Sequence, residues 1–272
     1  MIKQFVILSL IALAITSCKE TNDSKTKEAE ELIEEAKKVV EEVAPSITIE
    51  KLEGSPAYAD AVLELDTPKT GVIANGEEAK FEFTVENYEL GAQTNSVNAG
   101  VLANSGKGQH IHFILNNEPY SAHYEPAFAK AIPDGTHHLV AFLSRSYHES
   151  VKNERSVVVR KLEVGKNPTD SLGIDAEAPT LIYSRPKGEY SGKGAESVML
   201  DFFVLNTTLS PDGNKVKATI NGNEFIITEW APHVIKGLPK GEVSIKLELI
   251  DAQGAAIPGP FNTVNRTVTL KE

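Results

Sequence analysis

Six of the seven histidines fall between Gly108 and His148: His110, His112, His123, His137, His138 and His148. Imidazole is the one side chain whose unperturbed titration falls near neutrality, and it is also a common metal ligand. His110-Ile111-His112 has the spacing that matters most. On a β-strand, residues two apart point to the same face, so both rings stand side by side at chelating separation. A third imidazole from another segment would complete a site. His123 and His138 are the candidates for that position. Borderline-soft ions, zinc or Cu(II), suit such a nitrogen set. Soft Cu(I) does not, because the chain carries one cysteine, Cys18, and only Met199 besides its first residue.

Two other groups of residues adjoin the histidines. Ser144-Arg145-Ser146-Tyr147-His148 combines a guanidinium, hydroxyls and an imidazole, a set able to hold a phosphate or carboxylate. Arg145 and His148 are its candidate ligand-binding residues. Tyr120 and Tyr124 flank His123 and form a candidate aromatic rim. Ser184-Arg185-Pro186-Lys187 is a second Ser-Arg pair, read as lining a cleft between domains. The chain contains no G-x-S-x-G, no H-E-x-x-H and no glycine-rich phosphate loop. Glu118, Glu125 and Glu149 are the carboxylates near the cluster in sequence. An enzyme would need one of them within hydrogen-bond reach of a bound ligand.

The elements that must position these residues are strands. Short apolar-polar alternations separated by Gly, Asn, Pro and Asp predict strands at residues 47–49, 62–65, 80–85, 110–115, 139–143 and 157–162. The same style resumes at 181–183, 198–205, 215–220, 224–228, 243–250 and 267–270. No crossover helix interrupts them. The expected fold is all-β: two tandem immunoglobulin-like antiparallel β-sandwich domains.

The halves read as two copies of one unit. Phe81 to Leu90 aligns with Leu200 to Leu209, sharing the form V-x-N-x-x-L. Leu115-Asn116-Asn117 aligns with Ile220-Asn221-Gly222, and Ile132-Pro133-Asp134-Gly135 with Leu238-Pro239-Lys240-Gly241. This repeat supplies an internal control. Strand 110–115 aligns with 215–220, where Val216, Ala218 and Ile220 must face the core. His110 and His112 therefore occupy the outer face, where the second copy has Lys215 and Lys217. His138, Val140 and Phe142 fall on the same outer face, opposite Ser244, Lys246 and Glu248. Val140 and Phe142 at outward positions imply a covered face. The cover is a ligand, the 93–106 insertion that copy two lacks, or the other domain.

The first 17 residues have a lipoprotein signal-peptide pattern, with Lys3 before an apolar run too short for a typical span. Ile15-Thr16-Ser17-Cys18 resembles a bacterial lipobox, which implies lipidation of Cys18. Acyl chains each contribute about 0.8 kcal/mol per buried CH₂, so two or more anchor a protein stably to a membrane. Residues 18–45 then form a polar tether and a spacer helix, with apolar residues three and four apart from Ala29 to Val43 and a stop at Pro45. Copy one spans 46–167, a linker 168–179, and copy two 180–272. The formal charge of −11 excludes a nucleic-acid partner bound through phosphate neutralisation.

Gly106 to Glu125, Phe142 to Ser150 and Tyr183 to Tyr190 resemble a family of Gram-negative envelope lipoproteins commonly labelled "phosphopeptide-binding protein". The resemblance covers about residues 50 to 270 and implies a binding module in the cell envelope. Ser144 to His148 also resembles the Ser-Arg-x-His run of forkhead-associated domains, with one residue added before His148. The leading expectation is a non-enzymatic, lipid-anchored envelope protein that binds a metal, an anionic or phosphorylated small ligand, or a peptide on copy one. The alternatives are an adhesion or structural lipoprotein with incidental histidines, and a metal-dependent enzyme.

Overall fold

The computed structural model describes residues 46–271. The signal peptide, Cys18 and the spacer helix lie outside the described residues. Ser46–Glu272 forms one compact unit. In chain order its strands are β1 (Thr48–Lys51), β2 (Val62–Thr67), β3 (Val72–Ile73), β4 (Ala79–Glu86), β5 (His110–Leu115), β6 (Ser121–His123), β7 (Ala127–Lys130), β8 (Gly135–Ser144) and β9 (Val157–Val164). The second copy continues with β10 (Thr180–Arg185), β11 (Glu189–Tyr190), β12 (Val198–Leu205), β13 (Lys215–Ile220), β14 (Asn223–Ile227), β15 (His233–Lys236), β16 (Gly241–Ile250) and β17 (Thr263–Leu270).

Two β-sandwiches result. In the first, a sheet of order β2-β4-β7 faces one of order β3-β9-β8-β5-β6; in the second, β1-β15-β12-β10 faces β11-β17-β16-β13-β14. Pairing is antiparallel except for the short edge strands β3 and β11. The expected all-β class therefore holds. Each sandwich has its own core, one around Phe81, Phe113 and Leu139, the other around Leu200, Phe202 and Leu247.

The repeat extends to backbone conformation. Asn87 and Asn206, the shared asparagines of V-x-N-x-x-L, both have positive φ, 53° and 55°. Asn116-Asn117 and Asn221-Gly222 both place two residues at positive φ, as a tight hairpin turn requires. Asn116 Oδ1 accepts from His138 N at 2.9 Å, and Asn221 Oδ1 accepts from Ser244 N at 2.9 Å. Both copies also carry a bulge, between Leu65 and Thr67 in β2 and between Tyr183 and Arg185 in β10.

One boundary needs correction. The first strand, read with copy one, pairs instead with β15 of the second sandwich, Thr48 opposite Lys236 through Lys51 opposite His233. Ile47 and Ile49 pack on the second core. Strands β3, β7, β11 and β15 were not expected. They are two to four residues long, too short for alternation to register.

The outer face of β5 and β8 is buried. Ile114, Tyr120, Val140 and Phe142 form a third apolar cluster with Ile182, Phe203 and Phe261 of copy two and Ile174 of the linker. Phe142 and Phe203 meet at 4.5 Å between ring centroids, and both are fully buried. Fully burying one such side chain contributes about 1.5–3 kcal/mol. Copy two thus covers copy one, and the insertion helps: Leu102 packs with Tyr147, Met199 and Val234. Polar ties complete the junction. Asp201, fully buried, accepts from Ser150 Oγ at 3.1 Å and Lys152 Nζ at 2.6 Å. Asn117 Oδ1 accepts from Tyr183 N at 2.8 Å.

Candidate metal centre

His110 and His112 share the outer face of β5, as strand alternation requires, with rings 4.8 Å apart. Their Nε2 atoms lie 2.9 Å from each other. His148, at positive φ (70°) in the turn after β8, brings its Nδ1 to 3.1 Å from His110 Nε2. One nitrogen from each of the three lies within 4.8 Å of the others. Among the described residues no other cluster of three metal-ligating side chains meets that geometry. In a tetrahedral zinc site with metal–nitrogen bonds of about 2.0–2.1 Å, ligand nitrogens sit about 3.3 Å apart. The two separations from His110 Nε2, 2.9 and 3.1 Å, fall a few tenths of an ångström short of that value.

The outward nitrogens are already oriented. His110 Nδ1–H donates to the Gly108 carbonyl at 2.8 Å, which leaves the Nε2 lone pair facing the trio. That carbonyl is close because residue 108 is glycine: φ is +85°, and a Cβ would collide with the carbonyls of Gly91 and Ala92. His112 Nδ1 lies 3.3 Å from Ser184 Oγ of copy two. Backbone and hydroxyl partners of this kind fix ligand tautomers in metal sites. His112 also stacks on Tyr120 at 3.5 Å and 11°, and the Tyr120 hydroxyl reaches His148 Nδ1 at 3.3 Å.

Burial keeps the rings neutral. Desolvation lowers His110 to about 4 despite the opposing carbonyl bond, and holds His112 well below its usual value. His148 moves strongly in the same direction, by burial and then by the charge of Arg185. At neutral pH all three are unprotonated, the state a metal requires. His110 and His112 are inaccessible, while His148 is half-buried.

The sequence-derived set is only partly assembled here. His110 and His112 pair as expected, but neither His123 nor His138 supplies the third ligand. His123 stacks on Phe128 at 3.4 Å and bonds with Ser121 Oγ at 2.9 Å. His138 stacks on Phe261 across the junction at 5.4 Å. His148, read as part of an anion site with Arg145, takes their place. Arg145 is not free for a ligand: its Nη1 pairs with Glu149 at 3.0 Å and donates to Ser150 O at 2.8 Å. Glu149 is thereby spent too. Tyr120 belongs to the site, and Tyr124 borders it with its ring 5.0 Å from His110.

Copy two supplies residues that the histidine pattern did not reveal. Ser184, Arg185 and Lys187 come from the bulged end of β10 and the turn after it. The Arg185 guanidinium lies 5.3 Å, and Lys187 Nζ 4.2 Å, from the Tyr120 ring centroid. The signal was Ser184-Arg185-Pro186-Lys187 itself, whose expected place between the domains matches the contacts of Ser184 and Lys187 with copy one.

No family model matches this chain, and no curated protein does. Solved structures similar to it include the fibronectin(III)-like modules of Clostridium thermocellum CbhA, at 14% identity and a TM-score of 0.27, covering 77% of this chain and 94% of that one. Bacteroides ovatus SGBP-B in complex with mixed-linkage heptasaccharide shares 12% identity at a TM-score of 0.22, covering 78% of this chain. This chain spans 48% of that protein's length. The chicken CNTN1 FN1-FN3 domains share 9% identity at a TM-score of 0.23, covering 81% of this chain and 66% of that one.

Proposed function

We propose that this chain is a lipid-anchored protein of the bacterial cell envelope that binds one divalent transition metal, zinc or Cu(II), through His110, His112 and His148. One observation carries the metal reading. Three neutral imidazole nitrogens from two segments converge within 2.9 and 3.1 Å around His110 Nε2, with no apolar side chain between them. The outward nitrogens of His110 and His112 are tied to Gly108 O and Ser184 Oγ, the orientation that metal-ligating imidazoles take. The envelope reading is supported by the lipobox ending at Cys18 and by the resemblance to envelope lipoproteins. The role is binding, since the one buried carboxylate near the trio in sequence, Glu149, is held by Arg145.

Calorimetric titration of Zn²⁺ and Cu²⁺ into the chain from Lys19 onward tests the site. That chain retains the whole compact unit. One equivalent should bind tightly, and His110→Ala/His112→Ala and His148→Ala should each abolish it. A wild type that binds neither ion would return the protein to the structural reading. Detergent-phase partitioning of the full chain beside Cys18→Ala tests the anchor, and a variant that still partitions would overturn it.

A further inference from the structure

We infer that the metal held by His110, His112 and His148 keeps an open coordination position for an oxygen-donor anion, bound jointly by Arg185 and Lys187 of the second sandwich. This inference rests on the metal reading above.

The argument starts from unpaired charge. Arg185 is buried, with 7% exposure, and Lys187 is half-buried. Among the described residues neither has a carboxylate within 4.0 Å. A buried cation is ordinarily paired, because desolvating it is costly. The two buried carboxylates are committed elsewhere, Glu149 to Arg145 and Asp201 to Lys152. Arg185 instead meets phenols: its Nη1 donates to Tyr190 Oη at 2.9 Å, and its Nε has no partner. Phenols do not neutralise it. Burial pushes Tyr120 and Tyr183 upward, so both stay protonated.

The cations also lie beside the histidines. Arg185 and Lys187 sit over the Tyr120 ring at 5.3 and 4.2 Å from its centroid, and that ring stacks on His112 at 3.5 Å while its hydroxyl reaches His148 Nδ1 at 3.3 Å. A divalent ion on the trio would add two more positive charges beside these buried side chains. An anion resolves the excess. It can occupy the position that three protein ligands leave open at the metal, while Arg185 Nε and Lys187 Nζ donate charge-assisted hydrogen bonds to its other oxygens. The β10 bulge between Tyr183 and Arg185 is the kind of feature that re-aims a side chain in this way. His148 and Lys187, the two less buried members, mark the side from which an anion would come.

The test is electron paramagnetic resonance and calorimetry on the Cu²⁺-loaded chain in chloride-free buffer, titrated with inorganic phosphate and with acetate. Saturable spectral change with at least one of them is expected. Lys187→Gln and Arg185→Met should each weaken anion binding about tenfold, the scale of one charge-assisted hydrogen bond. The same variants should hold Cu²⁺ as tightly as the wild type or more tightly, because a repelling charge is gone. A merely structural role would weaken metal and anion alike. Lys187 is only half-buried, so its variant remains informative where Arg185→Met fails to fold. Metal binding with no response to either anion would overturn this inference and leave the metal reading intact. Equal anion binding without metal would also overturn it, since the cations alone would then suffice. A wild type that binds no metal would overturn both.

Discussion

The two sandwiches share one scaffold but opposite faces. In copy one, the outer face of β5 and β8 carries His110, His112, Val140 and Phe142, all buried at 0%. At the same register in copy two, Lys215, Lys217, Lys246 and Glu248 are half-buried, and Glu248 pairs with Lys217 at 3.2 Å and Lys246 at 2.8 Å. The other sheets show the reverse. Phe203 and Asp201 on β12 are buried, while their counterparts on β4, Thr84 and Glu82, are half-buried and exposed. The five-stranded sheet of copy one therefore docks on the four-stranded sheet of copy two. That contact is head-to-tail, and head-to-tail contacts propagate unless the free ends differ. Here the face of β13 and β16 that would repeat the contact carries lysines and Glu248 in place of the apolar residues. The lesson is that duplication supplied the scaffold, and burying one copy's face created an enclosed site that the other copy lacks.

Exchanging residues between the copies would break this comparison most sharply. Phe142→Glu installs the copy-two residue in the junction and strands a carboxylate there. A loss of more than about 5 kcal/mol is expected, enough to prevent folding. The reciprocal Glu248→Phe should change urea-unfolding stability by less than about 1 kcal/mol. Equal effects would mean that the junction is not buried in solution.

Acid should separate the copies next. Burial lowers His110 and His123 to about 4 and depresses His112, His138 and His148, whereas copy two has only His233. A histidine with a lowered folded value binds its proton less readily when folded than when unfolded. Stability is then complete above about pH 6.5 and falls as the pH drops toward 4, by up to about 1.4 kcal/mol per pH unit for each such group. Amide exchange should show β5 and β8 losing protection before β13 and β16. For the same reason bound metal should survive below pH 6 and yield to protons only as pH approaches about 4.

Asp201→Ala leaves Lys152 and Ser150 without their partner at the junction, and should cost about 3–5 kcal/mol. Its exposed counterpart Glu82→Ala should cost less than about 0.5 kcal/mol. Unfolding curves of the pair measure the same register position buried and solvated.

Two glycines give the finest contrast. Gly108→Ala forces a collision with the carbonyls of Gly91 and Ala92 and displaces the carbonyl that orients His110. Metal affinity should fall about tenfold or more, with a stability cost above about 1 kcal/mol. Gly222→Ala has a similar φ, +84°, but open space, and should cost only about 1 kcal/mol.

The local part of this protein was legible in its residues. Period-two alternation marks the longer strands, and asparagine and glycine at fixed offsets mark the turns. Aligning the halves assigns the inner and outer faces of β5 and β8 correctly, because register is a property of the strand itself. It also places His110 beside His112. The third ligand was not legible. His123 and His138 have sequence positions as suitable as His148, and only the positive-φ turn after β8 swings His148 back over His110. Arg145 has every local mark of an anion ligand, and only the fold shows Glu149 and Ser150 consuming it. Strand β1 changes partner for the same reason, since a four-residue strand takes whichever edge lies open beside it. Ser184 meets His112 across 72 residues of sequence, and Lys187 meets Tyr120 across 67. Spacing along a strand fixes which side chains share a face, whereas the packing of one sheet on another decides what that face meets.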